Sequence, residues 1–266
     1  MTTSTPDRAP DRADGGGVQG EGEGEGSRTT ITVDRPAEGG RLRVGMHAVG
    51  GPDRPVLRPM LVAADERTAR VALVPEGALL LAGDVLTTWV RVGPGAALEL
   101  LEPAGTVAYD MRGGSARWDV HVELAAGATL VWHGEPFVAV SGSEVDRRTV
   151  VDLAPTARLA LRETLVLGRY GEWPGTLRSR LEARVDGAPV LVEDLGLAPD
   201  TAGMLLGGHR VLGSVLLLGA DLPGDPGPDR FDLEGGGTLV RRLAAEAHQA
   251  VLADTWAQAR ATVRLP

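Results

Sequence analysis

The sequence predicts a mainly β protein of stacked, β-helix-like solenoidal sheets carrying a C-terminal α-helix, and three observations lead there. A strand–turn–strand unit recurs over residues 90–100, 122–132 and 151–161, its first residues Val90, Val122 and Val151 lying 32 and 29 positions apart. At such a period one supersecondary unit stacks on the next and neighbours bury what each alone cannot. Within each unit apolar residues alternate on both sides of a small-residue turn (Gly95-Ala96, Gly127-Ala128, Thr156-Ala157). That alternation is the pattern of a half-buried antiparallel pair. Third, the 43% hydrophobic content is mostly Ala, Val and Leu with only 3% aromatic residues, so the interior should be aliphatic.

Taken in order, residues 1–28 contain the alternating Gly/Glu run 20–26 and almost no apolar side chain, too little to offset the entropy of ordering. A disordered tail is expected there, followed by one β domain over 29–266. Strand-like segments follow at 42–44, 56–62 and 69–74, then the repeats, then 211–218, with looser copies of the unit at 71–82 and 185–192. Glycine pairs at Gly50-Gly51, Gly113-Gly114 and Gly207-Gly208 punctuate them, and residues 223–228 read as a loop. From about 238 to 261, Val240, Leu243, Ala247 and Val251 fall on one helical stripe. A C-terminal helix is expected over that span, with a last strand ending at Leu265.

Composition excludes several classes of function. The 266 residues include no Cys, which removes disulfides, thiol nucleophiles and thiolate metal sites. Lysine is absent as well, so all 27 basic residues are Arg and no P-loop or Schiff-base lysine exists. A net charge of −9 disfavours nucleic acid and anionic membrane as partners. No apolar run approaches the roughly 20 residues of a membrane span, and no signal peptide is evident, so a cytoplasmic setting is expected. The histidines His47, His121, His133, His209 and His248 show no His-x-His or His-Glu-x-x-His spacing, which argues against a permanent zinc or cupin-type site. No Gly-x-Ser-x-Gly elbow or Walker motif is present.

A second regularity lies just past each repeat. If Leu98 and Leu100 point inward, strand parity carries Glu102 to the same side. The equivalent positions are Asp84, Glu163 and Asp194, the exception being Gly134, beside Glu135. Strand ends also favour Asp and Glu as turn formers. Glu163 is the more telling case, because its strand continues apolar on the same parity at Leu165 and Leu167. A carboxylate held inside needs a partner, a proton, water or a metal. Two readings fit: an ion pair with Arg169, the nearest inward-parity cation, or a water-lined acidic interior. A column of such hard oxygen ligands would pass a divalent cation along without trapping it.

Four markers in order then resemble a known family, the urease accessory protein UreD, also called UreH. They are Ala82-Gly83-Asp84; the segment 101–109, which ends Thr106-Val-Ala-Tyr109; the segment 131–136, which contains Trp132-His-Gly-Glu135; and the segment 163–172, which contains Leu167-Gly168-Arg169 and ends Gly171-Glu172. The resemblance spans about residues 40–265 and implies a non-enzymatic chaperone with a β-helix-like fold. It further implies assembly with UreF and the nickel-carrying GTPase UreG, to which GTP would belong, and docking on apo-urease. Ni²⁺ would cross transiently by a water-filled interior path, with no permanently bound cofactor. On matching positions Asp84, Glu163, Arg169 and Glu172 are implied as path or support, joined by Glu102 and Asp194 from the register and by Tyr109 and Glu135 as supporting residues. The sequence departs from the family at Thr106 in place of a common lysine, at His133-Gly134 in place of a proline-containing pair, and at Leu79-Leu80-Leu81 in place of Gly-Gly. The alternative is a β-helical carbohydrate-binding or lyase-type protein, against which nine aromatic residues and no signal peptide weigh.

Overall fold

The computed structural model describes Met1 and residues 26–50, 55–224 and 227–263. The expected tail, apart from Met1 and its last three residues, and the strand expected to end at Leu265 lie outside the described residues. The chain begins with β1 (Ser27–Asp34), β2 (Arg43–Val49), β3 (Val56–Ala64), β4 (Thr68–Glu76), β5 (Val85–Val92) and β6 (Ala97–Leu101). It continues with β7 (Thr106–Ala108), β8 (Ala116–Leu124), β9 (Thr129–His133), β10 (Phe137–Ala139), β11 (Glu144–Leu153) and β12 (Arg158–Leu167). Next come β13 (Thr176–Val185), β14 (Ala188–Leu197), a one-turn helix α1 (Ala202–Leu205), β15 (Val211–Leu218), β16 (Arg230–Asp232) and β17 (Thr238–Ala244). A 3-10 turn at Ala247–Ala250 leads to helix α2 (Ala253–Val263).

Two sheets face each other. One runs β14-β13-β11-β8-β5-β1-β2; the other runs β16-β17-β15-β12-β9-β6-β4-β3, with β7 and β10 attached beside it. Each repeat turn carries the chain from one sheet to the other, so β5, β8 and β11 stack in parallel on one side and β6, β9 and β12 on the other. The register follows the sequence repeat: Val90 pairs with Val122 and Val122 with Val151, while Leu98 pairs with Leu130 and Leu130 with Leu159. The antiparallel pairing expected within each unit is therefore corrected. Alternation reports that one face is buried, and it does so equally for a strand paired with its sequence neighbour and for one paired with the next coil. An antiparallel hairpin does occur at the 185–192 copy, where Asp186 and Gly187, at φ 52° and 75°, turn β13 into β14. The 71–82 copy is also offset, because β4 lies beside β6 in the second sheet with Val71 opposite Leu100.

The main core fills the space between the sheets and includes Ile31, Val90, Leu98, Val122, Leu130, Val151 and Leu159. Burying each such leucine stabilises the fold by roughly 1.5–3 kcal/mol. The outer face of the seven-stranded sheet is polar and cross-braced by ion pairs such as Arg91–Glu123 at 2.8 Å, Arg148–Glu182 at 2.8 Å and Arg180–Asp146 at 2.7 Å. The outer face of the ten-stranded sheet is apolar instead, and α2 covers it with Trp256, Ala259 and Val263 against Val131, Ala160, Val215 and Val240. Glu99 fixes that helix: its buried carboxylate accepts from Arg260 at 2.7 Å and from Arg70 at 2.6 Å.

The helix expected over 238–261 is shorter, because residues 238–244 form β17. Leu239 faces the inter-sheet core and Val240 the cluster beneath α2, and a strand buried on both faces loses its period of two. Among the described residues no helix is long and apolar enough to cross a membrane.

Candidate functional site: a charged cavity between the sheets

The ten-stranded sheet is interrupted midway. Chain segments 102–105 and 134–136 separate β6 from β7 and β9 from β10, while β12 runs through, pairing with β9 in its first half and β10 in its second. At this level Glu102, Gly134 and Glu163 come side by side, held by the Glu102 N–H donating to His133 O at 3.2 Å and the Gly134 N–H to Arg162 O at 3.1 Å. Gly134, the exception in the carboxylate pattern, is required here: a Cβ would lie 2.5 Å from the Arg162 carbonyl. Its missing side chain leaves open the space between the two glutamates.

From the opposite sheet, Arg147 of β11 reaches across to this level. It sits beside Trp118 in the ladder and forms an ion pair with Glu163. The guanidinium carbon lies 5.0 Å from the Trp118 ring centre and 5.7 Å from that of Phe137. Glu102 is held separately, accepting from Trp132 Nε1–H at 2.8 Å and from the Glu135 backbone N–H at 3.1 Å. Burial pushes its carboxyl up to about 7, against the opposing pull of the Trp132 bond, Arg147 and the Glu135 N–H, while Glu163 adds to the rise. Between them remains a cavity of about 20 Å³ measured to water centres, lined further by Thr149, Val151, Leu161 and Arg162. That is room for one water or a small ion.

Gly134, Glu135 and Arg162 line the cavity at the break in the ten-stranded sheet. There Arg162 donates to Gly134 O at 3.2 Å and to Glu135 Oε1 at 3.2 Å. His133 Nε2 lies 3.5 Å from the same carboxylate, and its ring meets Trp256 of α2 edge-on at 5.5 Å. Burial first, then Arg162, lowers the His133 pKa below the usual imidazole value.

Of the sequence-predicted residues, the structure brings Glu102, Glu163 and Glu135 to this cavity and disperses the others. The stacked column of Asp84, Glu102, Glu163 and Asp194 is not formed. Asp84 sits in the turn at one end of the sheets, where the Leu81 N–H donates to it at 2.8 Å and partial burial raises its pKa. Asp194 points outward from edge strand β14 and is forked by Arg178 at 2.9 and 2.6 Å, which, led by the Arg178 hydrogen bond, lowers its pKa. It is Glu193 that turns inward, toward Arg241. A register shift opposite Ala183 and Arg184 flips the parity that Val190 and Val192 suggested, and Val192 is 70% exposed. Glu172 and Arg169 lie in the loop after β12, 3.6 Å apart, with the Arg169 guanidinium 5.9 Å from the Tyr109 ring. Arg169 therefore supports an end loop, and the partner of Glu163 is Arg147. Among the described residues no three His, Asp or Glu side chains gather as a metal cage.

A two-sheet β stack with an aliphatic core, an ion pair and a second carboxylate inside it, and a helix latched over one face defines a β scaffold with a small charged cavity between its sheets. Residues 38–264 match the family described as UreD urease accessory protein. A protein named urease accessory protein UreD 1 from Streptomyces griseus is 47% identical over 238 residues, 86% of this chain and 91% of the relative. Urease accessory protein UreD from Streptomyces avermitilis is 38% identical over 74% of this chain and 86% of its own length, and UreD 2 from Saccharopolyspora erythraea is 32% identical over 90% and 89%. This chain belongs to the UreD family of urease accessory proteins.

Proposed function

We propose that this chain is a non-enzymatic scaffold for loading nickel into apo-urease, that it bridges urease to UreF and UreG in the cytoplasm, and that Ni²⁺ crosses it at the inter-sheet cavity. The observation that carries this reading is the inward pair Glu102 and Glu163 flanking the gap at Gly134 in a family of urease accessory proteins. Carboxylate oxygens with water bind a divalent ion weakly enough to release it, as a route requires. Nickel is the cargo of this route and GTP the ligand of UreG; the chain itself needs no resident cofactor. Asp84, Tyr109, Arg169 and Glu172, gathered in turns at one end of the sheets, would form its approach.

The test is complementation in a urease-positive strain lacking this chain, with co-purification through a tag on it. Restored urease activity together with recovery of UreF, UreG and urease subunits supports the reading. Full urease activation without the chain, or recovery of the chain alone, would refute it.

A further inference from the structure

We propose that Arg147 is the gate of this route: its guanidinium occupies the place at Glu163 that a crossing cation must take, and passage requires it to leave that carboxylate while the neighbouring aromatic rings keep hold of it. The inference rests on the nickel-route reading above. At the cavity level the seven-stranded sheet presents Leu86, Trp118, Arg147 and Ser179 in one row, so Arg147 is the single charge that sheet sends inward there. The side chain is 12% exposed and its guanidinium closes on Glu163 from across the core. With the arm in place the cavity holds about one water. A guanidinium and a divalent ion cannot share one carboxylate in that space, because like charges a few ångströms apart repel strongly in a medium less polar than water.

The same surroundings hold the guanidinium by a second means, in the position where it pairs with Glu163. Trp118 and Phe137 already lie 5.0 and 5.7 Å from the guanidinium carbon, within the range at which an aromatic face holds a cation. Leaving Glu163 therefore does not strand the charge. The arrangement also discriminates by valence. Arg147 neutralises Glu163 and leaves Glu102 to neutral donors, Trp132 Nε1–H and the Glu135 N–H. A divalent ion seated between the two glutamates satisfies both, whereas a monovalent ion offers Glu163 no more charge than the arginine already does.

A static ion pair that only neutralises a half-buried carboxylate makes different predictions. Nickel binding to the full-length chain, purified with UreF and without UreG or urease, is measured by isothermal titration with NiCl₂ for the wild type and for Arg147→Met, Arg147→Lys, Glu163→Gln and the double variant Arg147→Met/Glu163→Gln. Removing the competing charge should tighten nickel binding by at least about tenfold, a conservative figure for one unit charge a few ångströms away at an effective dielectric of about 20. The double variant should lose that gain, and Arg147→Lys, which keeps a charge but loses the planar stacking, should fall between. Unchanged or weaker binding in a folded Arg147→Met chain overturns the gate, as does a gain that survives in the double variant. If Arg147→Met fails to fold, the Lys variant decides: binding no tighter than wild type overturns the proposal. Failure of the underlying route looks different, since Glu163→Gln would then activate urease as well as wild type, whereas a failed gate leaves activation dependent on Glu163.

Discussion

Replacing Glu102 with glutamine removes a carboxyl that the fold holds protonated to unusually high pH. Its carboxyl titrates near 4.5 in the unfolded chain and at about 7 in the folded one, chiefly because of burial. The folded state thus keeps the proton longer, and stability contributed by the neutral form is lost as pH rises from 4.5 through 7. At about 1.36 kcal/mol per pH unit the complete loss is roughly 3 kcal/mol, of which roughly 2 falls between pH 5.5 and 8.5. For a chain of this size that corresponds to a fall in Tm of about 4–8 °C. The glutamine carbonyl can still accept from Trp132 or from the Glu135 N–H, so the variant keeps one of the two bonds and has nothing to ionise. Thermal melts followed by circular dichroism at pH 5.5 and 8.5 should show that the wild type loses several degrees more than Glu102→Gln. Parallel pH profiles for the two proteins would refute the reasoning, as would a wild type more stable at pH 8.5.

Three further perturbations test the scaffold. Glu99→Gln leaves a neutral amide with one acceptor oxygen where a buried carboxylate accepts from both Arg70 and Arg260, and should cost about 2 kcal/mol, appearing as faster hydrogen exchange in residues 253–263 ahead of the sheets. Gly134→Ala drives a methyl group to 2.5 Å from the Arg162 carbonyl and should lower stability by about 1–3 kcal/mol, read from urea midpoints; a neutral effect would mean that the break in the sheet is loose. Leu130→Ala empties the centre of the Leu98–Leu130–Leu159 row and should cost about 3 kcal/mol in the same assay, more than Val192→Ala, whose side chain is 70% exposed.

Much of this was legible in the sequence because stacking preserves register. The 32- and 29-residue spacings align Val90, Val122 and Val151 in one sheet and Leu98, Leu130 and Leu159 in the other, and the same arithmetic brings Glu102 level with Glu163. Alternation cannot say which strand a strand pairs with, and so it suggests hairpins at turns that in fact cross between sheets. Parity carried forward from a turn also fails wherever a bulge intervenes, as it does in β14 for Asp194. Arg147 had a usable signal: stepping back from Val151 through Thr149 places it on the inward face. That step leads back along the strand before the turn, whereas the carboxylates lie past the turn, in the other sheet. The latch at Glu99 had none, since it joins residues 161 positions apart.

Whether nickel crosses this chain between Glu102 and Glu163 can be read from the nickel content of urease matured with the Arg147→Met/Glu163→Gln chain in place of wild type. Removing both members of the pair takes away one positive and one negative charge together, so the chain should fold and still co-purify with its partners. Urease should then be assembled but hold a small fraction of its normal nickel. Normal nickel content with this variant would contradict it.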